Sequence, residues 1–529
     1  MSISGRACME RSGEARHGGN WMPEASVAAN QLASSVNRTM EMQVGVIEVP
    51  ADEVYYPERA PFHPDTQYPE LPFAADPGSS NPAYLGVREV LRVLGYDRER
   101  FGTPAWNPLG WLIHPGETVF LKPNMIAHKH TENDDWQYVI THGSVLRAVV
   151  DYVYIALEGR GRIVIGDAPQ TDSKFDEIIA EMGLPEIKSF YKRDKNFVVD
   201  IVDLRHEHWI DKDGIYVDTV TLPGDPQGTM AVDLGRDSLF AELDGHAKRY
   251  YGAYYDVEET NSHHRGGKHE YCISRSPIAA DAFISVPKLK THKKCGLTVN
   301  LKGLVGINGN KNWLPHYIFG APETGGDQFP RVSNRGLVEN WLVVNAKRLL
   351  LERNRPAQFL ARKFKKLAYR LFGANEQMVR SGNWHGNDTV WRMSLDLNRI
   401  LLYANPDCTM RPAGEAKRYF SIVDGLYAME GNGPVSGKLR KAGMMVGGTN
   451  PVAVDATCAA IMGFDYRKLL LIARAFEDHR YPLAIGQHEA IACISNAERW
   501  EGNPSAWRKR DLLNFRPHFA WQGHIEMNG

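Results

Sequence analysis

Residues 281–313 read DAFISVPKLKTHKKCGLTVNLKGLVGINGNKNW, and both architecture and function turn on what this stretch becomes. Residues 282–286 form an apolar, strand-like run closed by Pro287. Behind it come Lys288, Lys290, His292, Lys293, Lys294, Lys302 and Lys311, set among Gly296, Gly303, Gly306 and Gly309. Cationic side chains beside glycines, just past a strand end, are what an anion-binding loop requires. Lysine supplies charge and donors, and glycine lets backbone N–H groups approach a ligand.

Upstream, residues 118–121 are a short apolar strand ending at Lys122-Pro123-Asn124. Thr141 is placed to cap a helix reaching about Glu158, with Val145, Val149, Val153 and Leu157 on one stripe. The next strand, 162–165, stops at Gly166-Asp167-Ala168-Pro169. Strand, helix, strand in that order implies a right-handed crossover and a parallel sheet. Polar residues then lie just beyond the strands' carboxyl ends, where open α/β sheets bind ligands. Downstream, a strand at 421–423 ends at Asp424-Gly425, and the loop 430–434 (EGNGP) leads to another at 443–446. Asn450-Pro451 opens a helix that contains Asp455 and is stopped by Gly463. Further strands are expected at 43–49, 197–204 and 215–222, and a helix at 84–94. The expected class is α/β: mostly parallel sheet flanked by helices, with a helical insertion. The expected division is a disordered extension at 1–40, an α/β domain over 41–335, a basic helical insertion at 336–400, an α/β continuation over 401–500 and a tail at 501–529.

The chain's 529 residues suffice for one large domain or several smaller ones. A net charge of -1 argues against a general nucleic-acid field, so any basic surface must be local. Six scattered cysteines include no CxxC pair, which leaves an iron–sulfur cluster unexpected and suits a reducing compartment. There is no apolar run of membrane-spanning length and no signal-peptide core, so the cytoplasm is the expected location. Residues 347–370 carry nine Lys or Arg against one acid, Glu352. They are either a basic amphipathic helix on an anionic membrane face or a solvated insertion packed on the domain.

Four strand ends are chemically loaded: 122–124, 166–167, 288–302 and 424–434. Lys122, Asn124, Lys288, Lys290, Lys311 and Asn432 are the candidate substrate-binding residues. His292, Lys302 and Asp167 are the candidate catalytic ones. Flanking cations would keep His292 neutral near pH 7, and a lysine in a dry cleft titrates low enough to act as a base. Asp424, Glu430 and Asp455 would hold a divalent cation if they converge. Cys295 sits among cations that would lower a thiol pKa, but no partner spacing supports a catalytic cysteine.

Six motifs occur together and in order: LKPN at 121–124, IGDAP at 165–169, PKLKTH at 287–292, LKGLVG at 301–306, DGLYAMEGNGP at 424–434 and NPVAVDA at 450–456. In that combination the chain resembles the family catalogued as domain of unknown function 362. Some members of that family carry ferredoxin-like cysteine clusters, and this chain has none. ADAFISVPKLKTH…LK…G is also distantly similar to a segment of the nickel-pincer lactate racemases. There a histidine and a lysine ten positions apart flank the bound cofactor, and His292 and Lys302 have that order and spacing. Lys122-Pro123-Asn124 and Gly166-Asp167 depart from the racemase pattern.

The expectation is therefore an enzyme that binds a small carboxylated or phosphorylated molecule and carries out an isomerase-like proton or hydride shift. Metal-assisted phosphoryl or glycosyl-phosphate chemistry is the alternative within the same site. A non-catalytic protein at the membrane face of an envelope or polysaccharide-assembly system is the alternative outside it.

Overall fold

The computed structural model describes residues 40–212, 215–244, 249–252, 256–331, 363, 379 and 381–527. Its frame is one ten-stranded sheet. The strands are β1 (Gln43–Glu48), β2 (Thr118–Pro123), β3 (Arg162–Asp167), β4 (Val198–Asp203), β5 (Ala282–Val286), β6 (Lys288–His292), β7 (Gly296–Thr298), β8 (Arg418–Glu430), β9 (Lys438–Gly448) and β10 (Ala492–Ser495). The spatial order is β10-β1-β9-β8-β5-β2-β3-β4, with β6 pairing β8 and β7 off that path. The run β8-β5-β2-β3-β4 is parallel throughout. The β8–β9 hairpin and the β1–β9 pair are antiparallel. The class is α/β and the sheet, though mixed, is mostly parallel, as expected.

Side-chain alternation assigns the core. Val119, Leu121, Ile163, Ile165, Ile284 and Phe420 face one apolar cluster. Phe120, Val164, Phe283 and Tyr419 face the other, where Phe120, Phe283 and Tyr419 form a ladder of ring centroids 5.8 and 5.9 Å apart. Both faces are covered, which is why the interior strands read as continuous apolar runs. Helices α1 (Pro82–Val93), α2 (Gly143–Ala156) and α3 (Leu184–Lys195) bury residues in the first cluster. Helices α4 (Val390–Tyr403) and α5 (Pro451–Ile461) bury residues in the second.

Two expected details change. The cap of α2 is His142, whose side chain accepts the Ser144 N–H, and not Thr141. Thr141 is tied to strand ends instead: its hydroxyl donates to Val286 O at 2.6 Å and accepts the Asn124 N–H at 2.9 Å. Residues 288–292 are not loop but strand β6, and β8 runs on to Glu430, well past 423. Only Pro287 separates β5 from β6, and β8 is long enough to pair with both. The register skips from Lys288–Asp424 to Lys290–Met429, a bulge that lets β6 diverge from the sheet.

Asn450 caps α5 as expected, accepting the Val452 and Ala453 N–H groups. The basic segment 347–370 lies, Lys363 apart, outside the described residues. Among the described residues no helix is long and apolar enough to cross a membrane.

Candidate functional site

From β2 the chain steps outward to β3 and β4, then returns to place β5 and β8 on the other side of β2. The strand order therefore reverses between β2 and β5, and at such a point the carboxyl ends of neighbouring strands leave a crevice. A cleft of about 420 Å³ opens there. It is lined by Asn124 beyond β2, Asp167 to Gln170 at the end of β3, Lys290 and His292 on β6, and Lys302, Gly306, Lys311 and His316 beyond β7. The volume suits a small molecule.

The cleft is strongly cationic. Lys290, Lys293, Lys294, Lys302 and Lys311 face it against two aspartates, Asp167 and Asp172. Asp167 is already engaged. Its Oδ1 accepts Lys122 Nζ at 2.8 Å and the Ala168 N–H at 2.9 Å, and its Oδ2 accepts the Met125 N–H at 2.8 Å. Held by these three bonds, Asp167 forms the floor of the cleft. Lys122, which also donates to Pro123 O, is its buried partner and does not line the cleft. Gly306 lies directly over the pair. A Cβ there would stand 1.7 Å from Asp167 Oδ1, so only glycine fits.

Lys302 is aimed from both sides. It sits on the helical turn Asn300–Gly303. The turn's first N–H groups, those of Asn300 and Leu301, donate to Asp455 of α5 at 2.9 and 3.0 Å. Leu301 O accepts Asn398 Nδ2 of α4 at 2.8 Å. Asp455 is thus a clamp for that turn, and burial raises its carboxyl to about 7. Burial holds Lys302 below the usual lysine range. Among the described residues no acceptor is paired with the Lys302 or Lys293 ammonium. The other lysines are anchored. Lys290 donates to Asn124 Oδ1 and Val139 O at 3.1 and 2.7 Å, Lys294 to Ser381 O, and Lys311 to Val305 O and Asn308 O at 3.0 and 3.1 Å. Burial brings Lys311 down to about 7, and burial followed by the nearby Lys288 charge pulls Lys290 well below its usual value.

Two histidines complete the site, and their hydrogen bonds fix opposite tautomers. His292 Nδ1 accepts the Lys294 N–H at 3.0 Å, so the neutral ring carries its proton on Nε2. His316 Nδ1 lies 2.9 Å from Leu314 O and must donate to it, which leaves the Nε2 lone pair free. Burial is the chief cause holding both rings well below the ordinary histidine value, and the Lys302 charge is the next in each case. Flanking lysines thus contribute to a neutral His292, but burial dominates. Sequence reading missed His316. It belongs to the short strand Pro315–Ile318, just past the glycine-rich stretch, where no local pattern marks it.

Other expected site residues are placed elsewhere. Lys288 is 0% exposed and spends its three donors on Asp424 Oδ2 (2.7 Å), Gln137 O (2.8 Å) and Tyr56 Oη (3.0 Å). Asp424 also accepts the Tyr56 hydroxyl and the His142 N–H. Tyr56, His142 and Trp136 stack over this network. Lys288 is therefore no substrate ligand, because it has nothing left to donate. Glu430 accepts the Arg516 N–H at 3.2 Å. Asp424, Glu430 and Asp455 thus lie in three separate hydrogen-bond networks, and among the described residues no group of His, Cys, Asp or Glu is arranged to hold a metal ion. Asn432 is half-buried beside the cleft and does not line it, although Pro434 of the same turn does. Burial pushes the Cys295 thiol up to about 12, which leaves it inert.

An α/β protein with a cationic crevice at the reversal of its strand order is what these residues define. A family model described as domain of unknown function (DUF362) matches residues 119–226 and 215–460, and the chain belongs to that family. No curated protein matches it. Among solved structures it is similar to the lactate racemase apoprotein from Thermoanaerobacterium thermosaccharolyticum, at 12% identity and a TM-score of 0.28. That alignment covers 70% of this chain and 54% of the other, so the chain spans about half the length of that structure.

Proposed function

We propose that this protein is an enzyme that binds a small carboxylated or phosphorylated molecule in the switch-point cleft and moves a proton on it. The single observation behind the reading is the charge imbalance. Lysines gathered in a half-dry crevice, with their nearest carboxylate already bonded, lack counter-charge, and an anionic ligand supplies it. Lys290, Lys293, Lys302 and Lys311 hold the anion. His292 presents an Nε2–H to an oxygen that gains negative charge, and His316 presents a lone pair that accepts a proton. A neutral donor facing a neutral acceptor suits an isomerase-like proton shift, in which a proton taken from one atom is returned to another.

Isothermal titration calorimetry with inorganic phosphate and with malonate tests the reading. Binding is expected for at least one, weakened about ten-fold by Lys302→Ala, or about 1.4 kcal/mol. Failure of the intact protein to bind either anion at millimolar concentration would sink it.

A further inference from the structure

We infer that Lys302 is a nucleophilic amine that forms an imine with a small anionic carbonyl compound, a deeper version of the proposed function that rests on the same anion site. Three features of the cleft carry the inference. First, Lys302 Nζ has no acceptor among the described residues, while Lys122, Lys290, Lys294 and Lys311 each donate to a carbonyl or a carboxylate. Lys302 is half-buried on the cleft wall, so its amine is free to meet a ligand carbon instead of being tied into the protein. Second, Lys302 lines the same cleft as both imidazoles, and after burial its charge is the leading influence on His292 and on His316. Third, its turn is clamped by Asp455 and Asn398 from two buried helices, so the amine is held in place rather than swept through solvent. Burial and the neighbouring Lys122 charge also favour the uncharged form.

The step balances with the groups present. The Lys302 Nζ lone pair attacks the carbonyl carbon, forming the C–N bond, and the C=O π pair moves to oxygen. His292 Nε2–H donates to that oxygen as it becomes negative. His316 Nε2 takes a proton from the nitrogen and delivers it to the oxygen. A second transfer of the same kind breaks the C–O bond as the nitrogen lone pair closes C=N. Both amine hydrogens leave on the oxygen as water, and no oxidant or reductant is consumed. The other lysines keep the ligand's carboxylate or phosphate. A proton taken up from water at the imine nitrogen turns it into an iminium, which withdraws electrons from the adjacent carbon, acidifies its C–H and makes the proton shift proposed above accessible to a neutral histidine.

The test is reductive trapping of the full-length protein with sodium borohydride, in separate arms with pyruvate and with dihydroxyacetone phosphate, followed by peptide mass spectrometry. In at least one arm the reduced adduct is expected on Lys302 at near-stoichiometric yield, and excess inorganic phosphate should suppress it. Which arm reacts distinguishes a carboxylate from a phosphate ligand. Lys302→Arg retains a long nitrogen-bearing side chain but is no nucleophile and should give no adduct, and His316→Gln should slow trapping at least ten-fold. A protein that binds phosphate by calorimetry yet gives no Lys302 adduct, or one spread over surface lysines and indifferent to phosphate, overturns the imine and leaves anion binding intact. A protein that binds no anion overturns both.

Discussion

Two lysine–aspartate pairs stand at neighbouring strand ends, and they do opposite things. Lys122–Asp167 joins β2 to β3 at 2.8 Å and forms the floor of an open cleft. Lys288–Asp424 joins β6 to β8 at 2.7 Å and is sealed on every side. The residue types are the same and the distances nearly so. What separates them is the use made of the remaining donors and acceptors. Around Lys288 every hydrogen is spent inside the protein, beneath a stack of Trp136, His142 and Tyr56 with centroids 5.1 and 3.9 Å apart. Around Lys122 the pair is surrounded by further lysines that the fold leaves without carboxylates. A buried cation is structural when its donors are satisfied, and available to a ligand when they are not.

The largest expected effect breaks the sealed pair. Asp424→Ala strands Lys288 and should cost about 3–5 kcal/mol in urea unfolding. The double replacement Lys288→Met with Asp424→Leu should cost less than the single one, because an apolar pair leaves no stranded charge. Equal losses would show that the network does not act as a pair.

Gly306→Ala strikes the open pair. A methyl group 1.7 Å from Asp167 Oδ1 must push the loop away, at about 1–3 kcal/mol of stability. Phosphate affinity should fall with it, whereas Asp424→Ala should weaken binding only in proportion to the fraction unfolded. Unchanged calorimetric affinity in Gly306→Ala would contradict the placement of that glycine over the floor of the cleft.

The smallest effect is in pH. Lys311 titrates at about 7 when folded, below an ordinary lysine. Between that value and the ordinary lysine range the unfolded chain holds a proton that the folded chain has released, so this group's contribution to stability rises with pH across that window. Phosphate binding should move the other way and weaken as pH climbs through about 7 and the ammonium discharges. Lys311→Met should flatten both slopes relative to the unmodified protein, measured by calorimetry and urea midpoints at several pH values.

Much of this was legible in the chain. Parallel interior strands are apolar from end to end, so 118–121, 162–165 and 282–286 stand out, and the polar residues after them mark the crevice. Strand β6 was hidden because its alternate positions are Lys288, Lys290 and His292, an inverted pattern that reads as loop. The partnership of Lys288 with Asp424, 136 positions away, has no local signature, so a structural lysine was indistinguishable from a binding one. His316 went unread for the converse reason: a lone histidine in a four-residue strand says nothing until its Nδ1 is seen bound to Leu314 O.

Strand β6 also works as a ruler. Lys288, Lys290 and His292 occupy every second position, and going from one to the next passes from sealed interior to cleft wall. Insertion of one residue after Pro287 would rotate the whole series, turning aliphatic and hydroxyl groups toward the crevice and burying cations against the core. Deletions and insertions in this five-residue span should therefore be far less tolerated than most point replacements within it.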